Sequence, residues 1–480
     1  MAANNQNSFI DKGQILAKGV GHSVGLKLLL VCFLVLLMDI PALFIATISF
    51  ERAGRADAVT KEVSQRYGGA QTLLGPVLSV PYSITDTNGE VSSSGDFVIF
   101  AEEGAAHVED LQTIVRKRSL FKVPTYQTDV KFTAKFDIPN RDNLGTARHT
   151  FYWDDAKISI GLTEVRGLRD DVYLKVGGKR SRKFGPGGSA LGAIQSANVK
   201  ATGGLRNFKS YGEYIPLQFM DVHVGDLLAS NNILDISATL PISGSQQLSL
   251  SPFAQTTKAN ITADWPHPGF LGKYPPMDRE ITDTGFSASW TVPFLARGMA
   301  AMGEAQALSL GQLSGKAMSV KFVNPVNPYQ NVNRALKYTV LFIGMVFLAY
   351  FLFETLVGVK VHAAQYVLVG LVQSVFYLLL LAFAEQIGFT FAFMIAASAT
   401  VFITAAYAGV VFGKTYRLKA GAVFMVTYGL LYVLMRIEDF ALMVGALASF
   451  LAIAATMYLT RNINWYGNNS DADVATSLQT

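Results

Sequence analysis

Two carboxyl residues inside long apolar stretches are the strongest chemical signal in the sequence. Asp39 lies near the middle of one apolar run, two residues before Pro41, and Glu354 lies toward the end of another. An ionisable side chain is costly in the hydrocarbon core of a bilayer, so it marks either a proton or cation site or a contact with polar groups on other helices. Both alternatives stay open for Asp39, whereas Glu354 lies within a turn or two of Lys360 and is expected at the membrane interface. Together, Asp39 and Glu354 form a candidate intramembrane polar site.

Catalytic and metal-binding patterns are not visible elsewhere in the chain. The six histidines are scattered and include neither H-x-x-x-H nor H-E-x-x-H spacing, so a zinc-protease helix is not predicted. The lone cysteine, Cys32, excludes an intramolecular disulfide and a cysteine-based metal site. We therefore predict no catalytic residue, no metal and no cofactor, and expect that the protein is not an enzyme.

The two acids must be positioned by membrane-spanning helices. Of the 480 residues, 16% are charged and 50% hydrophobic, whereas soluble proteins carry roughly 25% charged residues. A run of about 20 apolar residues covers the hydrocarbon core of a bilayer. Six such runs are present: Leu28–Ile48, Tyr338–Val357, Ala363–Ala384, Ile387–Phe412, Ala420–Met435 and Phe440–Thr460.

Basic residues near the span ends predict the orientation of the chain. Lys12, Lys18 and Lys27 precede the first span, and basic residues are retained on the cytoplasmic side, so both termini are expected there. The predicted divisions are a cytoplasmic N-terminal segment (1–27), transmembrane helix 1 (28–48), a periplasmic β-rich domain of one or two subdomains (49–335), a five-helix transmembrane bundle (336–460) and a cytoplasmic C-terminal tail (461–480).

The segment between the first and second spans has the pattern of β structure. Apolar and polar residues alternate over Val130–Ile138, Lys157–Ile160, Ile233–Leu240 and Phe286–Val292, which is typical of half-buried strands. The predicted fold is a polytopic α-helical membrane protein with six transmembrane helices, arranged one plus five. A large all-β or β-rich periplasmic domain, built as a β-sandwich, is inserted between helix 1 and helix 2.

Small residues at helical spacing in the later spans predict close helix packing. Small side chains let helix backbones approach where lipid offers no hydrophobic drive for association. The candidate packing residues are Gly409, Gly413, Gly445 and Ser449. Packing within one chain and packing between two copies both fit this pattern, so the oligomeric state stays open.

Six short motifs follow one another in order along the chain: Arg66–Tyr82, Trp265–Gly272, Gly285–Trp290, Arg334–Tyr338, Phe351–Glu354 and Val361–Gly370. Together they resemble the CreD family of bacterial inner-membrane proteins, also described as cell envelope integrity proteins. Two positions depart from the expected family pattern, because Tyr67 replaces a tryptophan and Gly269 a serine. The motif residues of the first two segments are Gly68, Gly69, Gln71, Gly75, Pro76, Trp265, Pro266 and Gly272.

The resemblance implies a role in envelope integrity and the envelope stress response. It also implies expression under a sensor kinase and response regulator, with links to the β-lactam response and colicin tolerance. It supplies no catalytic residues. The expected partners are membrane lipid and an envelope component or periplasmic protein. A net charge of only +5 does not favour nucleic-acid binding.

Two functions are consistent with the sequence. In the first, a non-enzymatic factor uses its large β domain, held near the membrane by spans on both sides, to bind an envelope component or a partner protein. In the second, the protein is a transporter or channel in which Asp39 and Glu354 line a path. The later spans show no obvious inverted repeat of the kind found in many transporters, and the first function is therefore preferred.

Overall fold

The computed structural model describes residues 24–118, 121–138, 144, 149–187, 217–229, 232–308, 315–323, 328–437 and 440–462. The chain divides into two compact units. The membrane unit comprises Met1–Arg55 and Val326–Thr480, and the β unit comprises Ala56–Pro325.

Six helices in the described part of the chain are long and apolar enough to cross a membrane. A further helix, α2, is amphipathic and precedes the last five of them. The helices are α1 (Val24–Arg66), α2 (Pro328–Lys337), α3 (Thr339–Val357), α4 (Ala363–Ile387), α5 (Phe389–Phe412), α6 (Lys414–Arg436) and α7 (Ala441–Thr460). The prediction of one apolar helix, a β-rich region and five further apolar helices is confirmed.

Two of these helices extend well beyond their predicted apolar runs. Helix α1 continues to Arg66, because the first residues that break it are Gly68 and Gly69, both with positive φ. Helix α6 begins at Lys414 rather than Ala420. Its first turns carry basic side chains, and the Arg417 guanidinium lies 5.8 Å from the Phe402 ring centroid. Basic side chains can pack their stems on apolar surface at a helix end, which explains why hydropathy alone places this start too late.

The strands of the β unit form two sheets. The ten-stranded sheet A has the order β14-β18-β12-β1-β6-β10-β9, with β2 and β5 also paired to β1 and β17 paired to β2. Its members are β1 (Gln71–Thr85), β2 (Val91–Ile99), β5 (His149–Phe151), β6 (Lys157–Leu162), β9 (Gly185–Pro186), β10 (Gln218–His223), β12 (Gln247–Ser251), β14 (Pro268–Gly272), β17 (Met302–Glu304) and β18 (Met318–Phe322).

The eight-stranded sheet B has the order β15-β16-β13-β3-β4-β11-β7-β8. Pairing is antiparallel except between β13 and β3, and in sheet A between β1 and β12. Its members are β3 (Ala101–Arg118), β4 (Phe121–Asp137), β7 (Tyr173–Val176), β8 (Lys179–Lys183), β11 (Ile233–Ser245), β13 (Ala254–Ala263), β15 (Asp278–Ile281) and β16 (Phe286–Val292).

The predicted alternating segments lie in β4, β6, β11 and β16, except that Ile138 follows the last residue of β4. In β4, β11 and β16 the alternation marks a strand with one buried face, whereas β6 is buried on both faces from Ile158 to Leu162. In β16, residues Phe286, Ala288, Trp290 and Val292 are buried while Ser287 and Thr291 between them are exposed. Inward-facing residues from both sheets form one continuous hydrophobic cluster. This shared core makes the β unit a two-sheet sandwich.

Phe253, at the crossing from β12 to β13, lies between the two sheets. The Phe253 side chain is 1% exposed. A Cβ atom at Gly75 in sheet A would lie 2.6 Å from its ring, and one at Gly104 in sheet B would lie 2.5 Å from it. Both positions therefore need glycine, since any side chain would displace the ring that fills the space between the sheets.

Candidate functional site

Glu354, predicted as an intramembrane acid, connects three segments at one end of the membrane unit. Its carboxylate forms an ion pair with Lys27 at the start of α1. It also accepts hydrogen bonds from the Val361 amide at 2.8 Å and from the Tyr366 hydroxyl at 2.8 Å. These partners occupy both carboxylate oxygens, so the geometry makes Glu354 a structural link between α1, α3 and α4.

Glu385 makes a corresponding link near the other end of the spans. Its carboxylate accepts a hydrogen bond from Tyr329 at 3.0 Å, and Arg52 of α1 approaches it to 3.7 Å. Nearby, Ser49 donates to Asn333 at 2.7 Å. Ion pairs near both ends therefore join α1 to the rest of the unit.

Asp39 is not brought to Glu354. It lies about halfway between Lys27 and Arg52 on α1, which puts it about 18 Å from Lys27 at 1.5 Å per residue. The Asp39 side chain is partly buried. The two predicted acids thus occupy separate levels of the membrane unit and do not form one site.

The candidate packing residues have different local roles. A Cβ atom at Gly409 would meet the Arg417 side chain at 2.8 Å, and one at Gly445 would meet Leu434 at 3.8 Å, while Gly413 has no atom within 4 Å of that position. Gly413 has φ of +102° at the break between α5 and α6, a backbone conformation that glycine adopts without steric cost. Its role is therefore to allow this turn, and the expected packing role does not fit it. Ser449 donates to the Gly445 carbonyl at 2.7 Å within α7.

The motif after α1 turns the chain from helix into strand. Gly68 and Gly69 have φ of +87° and +60°, and the Gly69 amide bonds to the Ser64 carbonyl at 2.8 Å, which closes the helix end. A Cβ atom at Gly68 would lie 2.7 Å from the Ser243 carbonyl oxygen. Gln71 is fully buried, and its Nε2 donates to the carbonyls of Gly68 at 2.8 Å and Glu164 at 3.0 Å.

Replacing Gln71 with methionine is expected to lower the free energy of unfolding by about 2 kcal/mol, because two buried carbonyl groups lose their donor while the side-chain volume is kept. Gln71→Glu has the same shape but presents oxygen to both carbonyls, so it should lower the free energy of unfolding by at least as much. Chemical denaturation of the purified full-length protein measures both effects. Wild-type stability in both variants would contradict the assigned role.

Pro76 and the second motif also hold strands in place. Pro76, which lacks a backbone donor, lies where the β1–β6 register shifts between Leu74 and Val77, a tolerated position for proline in a sheet. The Trp265 indole donates to the Val323 carbonyl at 3.2 Å, and Pro266 beside it is half-buried. At Gly272, φ is +95° and a Cβ atom would lie 2.0 Å from the Ala317 carbonyl oxygen, so β14 can pair with β18 only with glycine there.

The two departures from the family pattern also have defined surroundings. The Arg116 guanidinium lies 5.0 Å from the Tyr67 ring centroid, within the range of a cation–π contact. A Cβ atom at Gly269 would lie 3.0 Å from Val323 Cγ2, so a serine there would need a small shift of that side chain.

A buried arginine in the β unit was not predicted. Arg297 is fully buried, lies 4.1 Å from the Phe100 ring centroid, and donates to the carbonyls of Met299 at 3.2 Å and Ala300 at 2.7 Å. Burial lowers the pKa of Arg297 to about 10, so the group stays charged at neutral pH. It holds the turn at Met299 and Ala300 against the aromatic ring.

Asp110 lies at an irregular point in the middle of sheet B, and sequence reasoning also missed it. It is a non-glycine residue with φ of +53°. The register with β4 shifts between Glu109 and Gln112, and the register of β13 with β3 shifts between Ile261 and Ala263. Such bulges re-aim side chains and are frequent near functional sites. The only sequence signal was an acidic pair, Glu109 and Asp110, within a strand.

Two surface grooves share Asp110 in their linings. One, of about 690 Å³, is lined by groups that include Asp110, Gln112, Asp264 and Glu280. The other, of about 590 Å³, shares Asp110 and Gln112 and extends toward Lys131 and Arg169. Carboxylate, amide, hydroxyl and basic groups line the two grooves, so this surface can hold a polar ligand through hydrogen bonds. It is the candidate binding site that the strained Asp110 marks in the described part of the β unit.

Comparisons with known proteins agree with the resemblance in the motifs. A family model described as "Inner membrane protein CreD" matches residues 23–466. The chain is 31% identical over 440 residues to the inner membrane protein CreD of Escherichia coli (strain K12), covering 90% of this chain and 91% of that protein. No solved structure matches.

Proposed function

Because the chain belongs to the CreD family of inner membrane proteins, we propose that it supports the integrity of the cell envelope as a non-enzymatic factor. In this proposal, the membrane unit anchors the protein. The β unit lies in the periplasm and binds an envelope component or a partner protein.

The orientation is supported by the charges near the span ends. The connection between α3 and α4 contains Lys360, and the start of α6 carries Lys414, Arg417 and Lys419. Six spans put these residues on the same side as Lys27, and basic residues favour the cytoplasmic side. Both termini are then cytoplasmic, and the β unit between the first and second spans is periplasmic.

The observation that carries the binding role is the surface around Asp110. A non-glycine residue with positive φ costs on the order of 1 kcal/mol, and such strain is concentrated at functional sites. Here, the strained residue is exposed and is shared by two grooves rich in hydrogen-bonding groups. A ligand rich in hydroxyl, amide or charged groups, as envelope glycans and peptides are, would fit this surface.

Asp110→Gly is expected to raise the free energy of unfolding by about 1 kcal/mol, because glycine adopts positive φ without steric cost. The same change removes the carboxylate from both grooves and is expected to weaken envelope function. Complementation of a deletion strain measures function as survival on a β-lactam, and denaturation of the purified protein measures stability. The predicted variant is therefore more stable and less active.

Gln246→Gly provides a control for the backbone change, because Gln246 also has positive φ, at +66°, and lines neither groove. It also removes the hydrogen bond from Gln246 Nε2 to Ser64 Oγ at 2.7 Å, so its stability is measured beside its function. It should complement like wild type. Full complementation by Asp110→Gly at equal expression would refute the assignment of the binding surface. Full complementation by the spans without the β unit would refute the proposed function as a whole.

A further inference from the structure

Two buried polar side chains of the membrane unit each carry an atom that has no hydrogen-bond partner in the described part of the chain. Gln373 and Tyr377 are both 0% exposed and stand one turn apart on α4. Gln373 Nε2 and Tyr377 Oη have no hydrogen bond to any described residue. An unsatisfied polar group costs several kcal/mol in a membrane interior, where bulk water cannot reach it.

The neighbouring side chains leave these atoms unsatisfied. Tyr428 donates to Gln373 Oε1 at 2.7 Å, which leaves the Gln373 amide hydrogens unused. Thr339 lies close to the Tyr377 hydroxyl, but its own hydroxyl donates to the Leu336 carbonyl at 2.7 Å. Aromatic rings pack around Tyr428, with the Phe342 and Phe376 centroids 4.7 Å and 4.9 Å from its own.

Asp39 lies near these polar groups. Its neighbour Met38 packs against α4 so closely that a Cβ atom at Gly370 would lie 2.5 Å from Met38 Cγ, and Gly370 is one turn from Gln373. The Asp39 carboxyl is also within electrostatic range of the Tyr377 hydroxyl. The partly buried Asp39 therefore lies at a similar level to Gln373 and Tyr377, where α1 packs on α4.

We propose that α1 and α4 form a buried water site in which bound water bridges Gln373 Nε2, Tyr377 Oη and the Asp39 carboxyl. A buried water typically makes about three hydrogen bonds to groups that otherwise have no partner. The Gln373 amide donates to water, the Tyr377 hydroxyl can donate or accept, and the Asp39 carboxyl completes the set. The site makes Asp39 a proton-exchanging group in the middle of the membrane.

The charged groups around Asp39 are consistent with a protonated carboxyl. On α1, the nearest described basic residues are Lys27 and Arg52, about 18–20 Å away along the helix. On α3 and α4, the described carboxylates are Glu354 and Glu385, near the helix ends and already paired, and the other titratable side chains are Tyr350, Tyr366 and Tyr377. With no cation at its level, Asp39 holds a proton in the site and exchanges it through the water.

Infrared difference spectroscopy of the full-length protein in lipid nanodiscs tests the proposal. In wild type, exchange from H₂O to D₂O should shift a protonated-carboxyl carbonyl band, and Asp39→Asn should remove this band. Tyr377→Phe and Gln373→Leu should each change its frequency or slow its exchange. Tyr350→Phe is the matched control, because Tyr350 is a buried tyrosine whose hydroxyl is already bonded to the Thr404 carbonyl at 2.9 Å.

A second measurement reports on water directly. Hydroxyl radicals formed from bound water by X-ray pulses should oxidise Tyr377 in wild type, and this labelling should be lost in Gln373→Leu with Tyr350 unchanged. The proposal would be overturned if the protonated-carboxyl band persisted in Asp39→Asn. It would also be overturned if both this band and the labelling of Tyr377 were unchanged in Gln373→Leu. Each variant is compared by size-exclusion chromatography, so that loss of folding is separated from loss of the site.

Discussion

Glu354→Ala is expected to lower the free energy of unfolding by about 3–5 kcal/mol, the largest effect anticipated for a single residue of the membrane unit. The change removes a buried carboxylate and leaves the Lys27 ammonium, the Val361 amide and the Tyr366 hydroxyl without their acceptor. Helix α1 then loses its attachment at this end of the bundle. Denaturation in detergent micelles measures the loss.

A double-mutant cycle isolates the ion pair. Lys27→Met alone leaves the Glu354 carboxylate bound to Val361 and Tyr366, so it should lower the free energy of unfolding by less than Glu354→Ala does. The double variant should lose less free energy of unfolding than the sum of the two single losses, since both changes remove the same interaction. Lys360→Met is the control, because Lys360 is exposed and forms no ion pair among the described residues. Strict additivity, or a loss below 1 kcal/mol for Glu354→Ala, would contradict the assigned role.

Phe253→Ala is expected to lower the free energy of unfolding of the β unit by about 3–5 kcal/mol, the range for a deeply buried phenylalanine. The ring fills the space between Gly75 and Gly104 of opposite sheets and packs edge-on against Phe132 at 5.3 Å. Its removal leaves a cavity that two sheets cannot easily close. Thermal or chemical unfolding of the full-length protein measures the change, with Phe294→Ala, at a residue 38% exposed, as the control.

The same packing explains why position 75 is a glycine. Gly75→Ala should be destabilising by about 1–3 kcal/mol, because its Cβ would overlap the Phe253 ring. A smaller side chain in Phe253→Leu should relieve part of this cost, so the double variant should be more stable than the sum of the single effects predicts. If the two changes add without coupling, the steric account of Gly75 fails.

Sequence reasoning succeeded where a local pattern carries the information. Hydropathy located six spans, and alternation located β4, β11 and β16, because each of these strands has one buried face. Strand β1 shows no alternation since its residues from Gln71 to Val80 are buried on both faces, which removes the period-two signal. Helix ends were less accurate, because α1 and α6 continue past their apolar residues.

The site residues were harder to predict, because their partners lie far away in sequence. Glu354 was expected near the basic Lys360, but its ion-pair partner is Lys27, 327 residues away. The sequence around Asp110 gave almost no indication of a site. Its positive φ and the register shifts on both sides of β3 depend on how the strands pair, which the local sequence does not show. Gln373 and Tyr377 read as ordinary residues of an apolar span. Only packing shows that their polar atoms are left without partners.

The most direct test of the account is the side of the membrane on which the β unit lies. Glu280→Cys, at an exposed position of β15, introduced together with Cys32→Ala, provides a single reporter thiol. In spheroplasts, a membrane-impermeant maleimide should label it fully before lysis, as expected for a periplasmic β unit that contacts the envelope. Labelling that occurs only after lysis would contradict the account.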